Sequence, residues 1–210
     1  MAISLAAALV LAAQCAPTVA PETLLSVVQV ESRFEPLAIG VNGAPRILVA
    51  PTSVDDAVAK AGALIAAGRN IDLGLAQINS KNLSWLGLSL TEVFEPCTNL
   101  KAAARILQDG YARSDAVRVG EQAALKTALS YYNTGDPARG FGNGYVGKVA
   151  TAAERIVPAI DGSSLANPSE PVPAAPAQIL APPWDVFGEV HHGRGSFVTT
   201  VSTKASGGSQ

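Results

Sequence analysis

Apolar residues recur three or four positions apart in five segments of the chain, a spacing that predicts amphipathic helices. Ser53 with Asp56 is typical of a helix start, and Gly68 is typical of a helix end. The predicted helices cover about Glu22–Phe34, Ser53–Gly68, Asn99–Arg113, Gly120–Tyr132 and Tyr145–Val157. Helices therefore account for most of the predicted fold.

Three short segments between these helices have the composition of strands. Leu37–Val41, Arg46–Val49 and Ile71–Leu75 are rich in β-branched residues, and Asn42-Gly43 is a common turn sequence. The sequence thus predicts an α+β class that is predominantly α-helical, with a small β element.

The N-terminal segment, residues 1–14, has two interpretations. The run from Ala2 to Ala13 is almost wholly apolar, but it is shorter than the ~20 residues that a membrane-spanning helix needs, so no membrane span is expected. It is similar to the apolar part of a secretory signal, yet no Lys or Arg precedes it. The alternative is a first helix of the folded domain.

The composition changes sharply at Pro158. Seven prolines lie between Pro158 and Pro183 among Ala and Ser, without helical or strand periodicity. We therefore expect a folded domain over residues 15–157 and a disordered tail over 158–210. The tail contains one aromatic segment, Trp184-Asp185-Val186-Phe187.

Charge and residue counts exclude several classes of function. With 15 Lys and Arg against 17 Asp and Glu, the net charge of -2 gives no basic surface for nucleic acid. His191 and His192 both lie in the predicted tail, and Cys15 and Cys97 are too few and too far apart for a zinc site. No metal or cofactor is expected, and an acid or base in the core must be a carboxylate.

Glu31 is the carboxylate that the helical pattern singles out. It shares a helix face with apolar residues, including Val27 and Val28, and burial there would raise its pKa. A carboxylic acid that stays protonated can donate a proton to a departing sugar oxygen. From periodicity alone, a glutamate at a helix end that reaches solvent is the alternative. Glu35 has a similar angular position but precedes Pro36, outside the helix.

Three ordered segments resemble the motifs of the lysozyme-like lytic transglycosylases. They are Glu31 to Pro36 (ESRFEP), Gly74 to Asn79 (GLAQIN) and Ala128 to Gly135 (ALSYYNTG). The resemblance covers Cys15 to about Val157 and is greatest to the branch that serves type IV secretion systems. The stretches around Cys15, around Cys97 and from Gly140 to Val146 are also similar to that branch, as is the WDVF segment of the tail. Gly142, Gly144 and Gly147 match a dinucleotide-binding pattern, but no strand is predicted before them, so we reject that interpretation.

The resemblance implies a lysozyme-like fold, with Glu31 at the bottom of a cleft between helices and the small β element. Glu31 would be the catalytic residue, and Cys15 and Cys97 would form a disulfide. The implied substrate-binding residues are Ser32, Gln77, Asn79, Tyr132 and Asn133. Asn79 could equally serve a structural turn. Ala76 stands where the family more often has Met, which puts one apolar contact to substrate in doubt.

The activity implied is cleavage of peptidoglycan glycan strands in the periplasm by an exported protein that helps to assemble a type IV secretion system. Glu31 would protonate the leaving oxygen and then deprotonate the C6 hydroxyl of the muramic acid, which closes a 1,6-anhydro ring. Components of the secretion system are the expected protein partners, contacted through Trp184 and Phe187 of the tail. A lysozyme-type hydrolase, with Asp72 or Asp136 as a second carboxylate, and a peptidoglycan-binding scaffold are the alternatives.

Overall fold

A computed structural model describes residues 1–43 and 47–164 of the 210-residue chain. This part of the chain forms nine α-helices, two short 3-10 helices and four short strands. The helices are α1 (Leu5–Cys15), α2 (Pro21–Glu31), α3 (Val54–Ala66), α4 (Leu83–Leu86), α5 (Pro96–Ala112), α6 (Ala116–Val119), α7 (Glu121–Thr134), α8 (Arg139–Gly142) and α9 (Tyr145–Ser164). The strands are β1 (Ile39–Val41), β2 (Ile47–Val49), β3 (Ile71–Leu73) and β4 (Ile78–Asn79). The predicted α+β class with predominant helices is confirmed.

Helix α2 lies at the centre of the helical core. It packs against α1, α5 and α9, and four of its apolar side chains are completely inaccessible to solvent: Leu24, Leu25, Val27 and Val28. The predicted helix over Glu22–Phe34 is three residues too long at its C-terminal end. Helix α2 stops at Glu31 because Arg33 and Phe34 adopt left-handed backbone angles, with φ of 55° and 66°.

Most of the apolar N-terminal run lies in α1, which packs in the core. The Ser4 hydroxyl caps this helix by accepting a hydrogen bond from the Ala7 N–H, and Ala8 and Ala12 are buried. Cys15, the last residue of α1, forms a disulfide with Cys97 in the first turn of α5, with their Cα atoms 5.4 Å apart. Among residues 1–43 and 47–164, no helix combines the length and the hydropathy that crossing a bilayer requires.

The four strands form one antiparallel sheet in the order β2-β1-β3-β4. Three of them fall inside the predicted strand segments, whereas the two-residue β4 was not predicted. In this register Asp72 of β3 pairs with Gly40 of β1 on one side and with Asn79 of β4 on the other. The sheet therefore brings two polar residues from separate parts of the sequence side by side.

The last helix does not end at Val157, as predicted, because α9 continues through Pro158 to Ser164. A proline inside a helix removes one backbone hydrogen bond and costs roughly 3 kcal/mol. Burial of Ile156, Val157 and Ile160 on the core side of α9 offsets that cost. Most of the predicted tail, including Trp184 and Phe187, lies outside the described residues.

Candidate active site

Glu31 occupies the last position of α2, at the point where the chain reverses. Its half-buried carboxylate accepts a hydrogen bond of 2.6 Å from the Tyr145 hydroxyl at the start of α9. The left-handed conformations of Arg33 and Phe34 turn the backbone, and Phe34 is buried in the core. Core packing on both sides of Glu31 thus fixes where its side chain points.

A cleft of about 500 Å³ opens in front of Glu31, between the sheet and the helices α5 and α7. Amide side chains dominate its sheet side, and the aromatic rings of Trp85, Tyr131 and Tyr132 lie among the helical residues. The lining consists of Glu31, Asn42, Asn70, Asp72, Gln77, Ile78, Asn79, Lys81, Asn82, Trp85, Ile106, Asp109, Arg113 and residues 131–135. Amides can both donate and accept, and rings offer flat apolar faces, so this lining suits a carbohydrate.

The loop from Gly74 to Gln77 is held in place by one buried amide, that of Asn99 on α5. Its Oδ1 accepts from the Ala76 N–H at 2.8 Å, and its Nδ2 donates to the carbonyls of Leu73 and Val93 at 3.0 and 2.6 Å. Gly74 has a φ of 76°, and a Cβ there would collide with the Asn99 amide. Glycine at position 74 is therefore required both for its backbone angle and for this close approach.

Tyr132 connects α7 to the same loop. Its hydroxyl donates to the Ala76 carbonyl at 2.6 Å, and Ala76 itself is completely buried. Burial raises the pKa of Tyr132 well above its usual value, and the negative charges of Glu31 and Asp72 raise it further. The hydroxyl consequently stays protonated, and the ring lies in the cleft as expected, close to both carboxylates.

Gln77 and Asn79 both line the cleft, and both make hydrogen bonds within the protein. The Gln77 Nε2 donates to the carbonyls of Ala38 and Gly74, each at 3.0 Å. The Asn79 Nδ2 donates to Asn70 and Asp72, and its Oδ1 accepts from the Lys81 N–H in a tight turn. The turn role considered for Asn79 is thus present, and sugar contacts by these two residues stay predictions.

Asn133 belongs to a chain of hydrogen bonds that ends at Glu31. Its Oδ1 accepts from Asn143 Nδ2 at 2.9 Å, and Asn143 Oδ1 in turn accepts from the Tyr145 N–H at 2.9 Å. Tyr145 then donates to Glu31. An exposed residue of the third motif is in this way connected to the carboxylate of the first.

Ser130 of the same motif positions the segment that carries Tyr145. Its hydroxyl accepts from the Gly140 N–H at 2.9 Å and donates to the Asp136 carbonyl at 2.6 Å. A Cβ on Gly140 would lie only 2.7 Å from the Ser130 Cα, so α8 can approach α7 this closely only with glycine at 140.

Two expected residues lie away from the cleft lining. Ser32 is buried, and its hydroxyl is directed to the Val28 carbonyl at 3.5 Å, which is a long contact. The Asp136 carboxylate accepts from the N–H groups of Ala138 and Arg139 at the start of α8, and these bonds lower its pKa. Asp72 is therefore the better candidate for a second carboxylate.

The described residues form no cluster of three or more His, Cys, Asp and Glu that could hold a metal ion.

Sequence reasoning missed three residues that organise the site: Asn99, Asn143 and Tyr145. Tyr145 belongs to the stretch from Gly140 to Val146 that is similar to the type IV secretion branch, but nothing in the sequence connected its hydroxyl to Glu31. Asn99 was placed only at a helix start, where a polar residue is common. Asn99 is only 1% exposed, and a buried amide of this kind indicates a structural role. The sequence does not show that the side chain is buried.

The model of the Transglycosylase SLT domain family matches residues 8–154, a range that contains Glu31, the cleft and Tyr145. The chain belongs to this family. It is 46% identical over 152 residues to Type IV secretion system protein virB1 of Brucella abortus, which covers 70% of this chain and 63% of that protein. It is 41% identical over 182 residues to Protein virB1 of Agrobacterium fabrum, covering 84% of this chain and 69% of that protein.

A third relative, Protein virB1 of Rhizobium radiobacter, is 44% identical over 149 residues, which are 71% of this chain and 62% of that protein. The chain thus spans less than two thirds of the Brucella and Rhizobium relatives. No solved structure matches it.

Proposed function

We propose that this protein is a lytic transglycosylase that cleaves the β-1,4 bond between N-acetylmuramic acid and N-acetylglucosamine in peptidoglycan. The observation that carries the proposal is the Glu31 carboxylate, which faces an amide-rich cleft and accepts a hydrogen bond from Tyr145. Membership of the transglycosylase family and the three sequence motifs support the same activity.

In the proposed mechanism Glu31 acts twice. As an acid it protonates the oxygen between the two sugars, the bond from C1 of the muramic acid to that oxygen breaks, and positive charge develops at C1. The Glu31 carboxylate then accepts the proton of the C6 hydroxyl on the same sugar. The C6 oxygen bonds to C1, a 1,6-anhydro ring closes, and Glu31 is protonated again without consumption of water.

The surroundings of Glu31 suit both steps. The C-terminal end of α2 disfavours a further negative charge, whereas the Tyr145 hydroxyl stabilises the carboxylate once the proton has left. Opposing influences of this kind allow one group to give up a proton and to recover it.

A lysozyme-type hydrolase is the second candidate, and Asp72 is the observation that favours it. Hydrolysis commonly needs a second carboxylate in the cleft, and Asp72 lines it. However, the two oxygens of Asp72 accept hydrogen bonds from Asn79 and Asn42, at 2.7 and 3.0 Å. A carboxylate engaged by two amides is a weak base for water, which favours the transglycosylase.

The Brucella relative is named as a type IV secretion system protein, which leads us to propose that cleavage by this protein opens the cell wall for assembly of such a system. Peptidoglycan lies outside the cytoplasm, so the protein would be exported and act in the periplasm. The Cys15–Cys97 disulfide fits an oxidising compartment. A scaffold role, in which binding matters more than cleavage, would leave these features unchanged and must be separated by assay.

We further propose that Trp184 and Phe187 anchor a component of the secretion system. They are aromatic residues in a polar, Pro-rich context, and buried aromatic side chains commonly dominate binding energy at interfaces. Truncation after Ser164 should preserve glycan cleavage and reduce assembly of the apparatus. If the truncated protein no longer cleaves sacculi, this division of roles is wrong.

The central test compares the wild-type protein with Glu31→Gln on purified sacculi. Gln keeps the shape but cannot donate and recover a proton, so turnover should be nearly abolished while the melting curve is unchanged. Glu35→Gln is the matched control, because Glu35 lies outside the cleft lining, and it should stay active.

Mass spectrometry of the products in labelled water separates the candidate functions. Anhydro ends without labelled oxygen are expected for the transglycosylase, and reducing ends that contain the label identify a hydrolase. Full cleavage by Glu31→Gln would refute the assignment of Glu31, and binding without release of any muropeptide would support the scaffold.

A further inference from the structure

A second concave surface lies between α2 and α9, and we refer to it as the α2–α9 groove. Its volume is about 690 Å³. Its lining consists of Gln29, Val30, Arg33, Gly144, Gly147, Lys148, Thr151, Ala152, Arg155 and Ile156. None of these residues lines the cleft in front of Glu31.

Three cationic side chains surround this groove: Arg33, Lys148 and Arg155. All three are exposed, the groove lining contains no carboxylate, and none of the three forms an ion pair with a residue in the described part of the chain. Lys148 and Arg155 are seven positions apart on α9, which places them on the same face, about 10 Å from each other along the axis. In a chain with a net charge of -2, such a group of unneutralised cations indicates an anionic ligand.

The floor of the groove is apolar and has few side chains. Val30, Ala152 and Ile156 supply small or branched apolar surfaces. Gly144 and Gly147 add none, and a Cβ at either position would meet nothing within 4 Å. The open floor leaves room for an extended chain with small side chains between the cations.

The groove begins next to the catalytic residues. Val30 directly precedes Glu31 in the sequence, and Gly144 directly precedes Tyr145, whose hydroxyl contacts Glu31. Neighbouring Cα atoms are about 3.8 Å apart, so the backbone of both walls lies one residue from the Glu31–Tyr145 pair. A group attached to the sugar that is being cleaved could therefore extend into the groove.

We infer that the α2–α9 groove binds the carboxylates of the peptide attached to the muramic acid at the cleavage site. This inference rests on the proposed function. The peptide leaves the sugar as an extended chain that is rich in alanine and bears free carboxylates, which matches the small apolar floor and the cationic walls. Three extended residues span about 10 Å, the separation of Lys148 from Arg155 along α9.

The test combines one double variant with two forms of the substrate. Lys148→Glu/Arg155→Glu reverses two charges at exposed positions that are not part of the catalytic site. Lys101→Glu, an exposed lysine on α5, is the matched control for charge reversal. Each protein is assayed on glycan strands with intact peptides and on the same strands after an amidase has removed the peptides.

The double variant should cleave the peptide-bearing strands about tenfold more slowly than wild type, through a higher KM, because charged hydrogen bonds to the peptide are lost. It should cleave the stripped strands at the wild-type rate, as should the control on both substrates. Equal loss on both substrates would refute peptide recognition. Unchanged rates on both would also refute it.

Failure of the inference and failure of the proposed function remain distinguishable. If wild type releases no products from either substrate, the proposed function is wrong. If wild type cleaves both and the double variant behaves like it, only the inference is wrong. Thermal unfolding of each variant identifies any loss of rate that is due to misfolding.

Discussion

The Tyr145 hydroxyl donates a 2.6 Å hydrogen bond to Glu31, although 114 positions separate these residues in the sequence. Tyr145 is buried, and its backbone N–H donates to the Asn143 Oδ1. The position of the hydroxyl is thus set by the α8–α9 connection and does not depend on solvent.

Tyr145→Phe should reduce turnover by about tenfold to a hundredfold, because a hydrogen bond to a charged group contributes roughly 1.5–3 kcal/mol. The alkaline side of the pH profile for cleavage should move to higher pH, since the lost donor stabilised the ionised carboxylate. Initial rates of muropeptide release across a pH series measure both effects. Tyr111→Phe, outside the cleft lining, is the control, and equal profiles for the two variants would contradict a role for Tyr145 at Glu31.

Asn99→Ala should destabilise the protein by on the order of 3 kcal/mol, because it removes three buried hydrogen bonds, one from the Ala76 N–H and two to the carbonyls of Leu73 and Val93. The variant should also lose activity near its melting temperature before it unfolds globally, since the loop from Gly74 to Gln77 is held by this amide. Denaturant unfolding gives the free energy. Gln108→Ala, at an exposed position on the same helix, should change it little, and equal values for both variants would show that the amide is not structural.

Removal of the disulfide should lower the melting temperature. The bond joins residues 82 positions apart, for which the chain-entropy model gives an upper value of roughly 4 kcal/mol. Cys15→Ser, Cys97→Ser and the double variant should be destabilised equally, because each removes the same bond. Two free thiols in denatured wild-type protein, purified from the native compartment, would show that the bond is absent there.

Glu22→Gln should stabilise the protein at neutral pH. Burial raises the pKa of Glu22 above its usual 4.5, and the charge of Asp161 raises it further. The Glu22 Oε2 atom is buried and lacks a hydrogen-bond partner among the described residues. The folded state therefore binds the proton of the Glu22 carboxyl more tightly than the unfolded state does. The protonated carboxyl contributes fully to stability below the pKa that Glu22 has in the unfolded chain, and this contribution is lost as pH rises through its pKa in the folded protein.

Denaturant unfolding of wild type and Glu22→Gln at several pH values measures this contribution. The unfolding free energy of wild type should decline as Glu22 ionises, and that of Glu22→Gln should not. The difference in unfolding free energy in favour of the variant should therefore grow from acidic to neutral pH. Glu154→Gln, an exposed position on α9, serves as the control and should follow wild type. A constant difference between wild type and Glu22→Gln at every pH would contradict the raised pKa.

The sequence was sufficient to locate the long helices and the face that carries Glu31, because both depend on periodic burial. The hydrophobic pattern did not predict elements that depend on packing between distant segments of the chain. Helix α9 runs through Pro158 because apolar residues on both sides of the proline are buried, and β4 forms because Ile78 and Asn79 pair with Leu73 and Asp72. Each outcome depends on a contact between distant segments, which no local pattern records.

The same limit applies to the site. Glu31 was singled out as the candidate because its helix position and its motif agree, and Tyr132 and Asn133 were expected near it. The resemblance did not indicate that the Tyr132 hydroxyl binds the Ala76 carbonyl, or that Ser32 lies outside the cleft lining. Motifs record which residues recur, whereas the partner of each polar atom is determined by the fold.

The chain reversal after α2 has a consequence for motion. Val28, three residues before Glu31, and Phe34, three residues after it, are both buried in the core. The segment between them ends in two residues with left-handed backbone angles, Arg33 and Phe34. This short segment has no slack, so Glu31 cannot swing towards a bound glycan as a residue on a mobile loop could. The carboxylate is therefore preorganised, and the proposed catalysis would rely on its fixed position in the cleft.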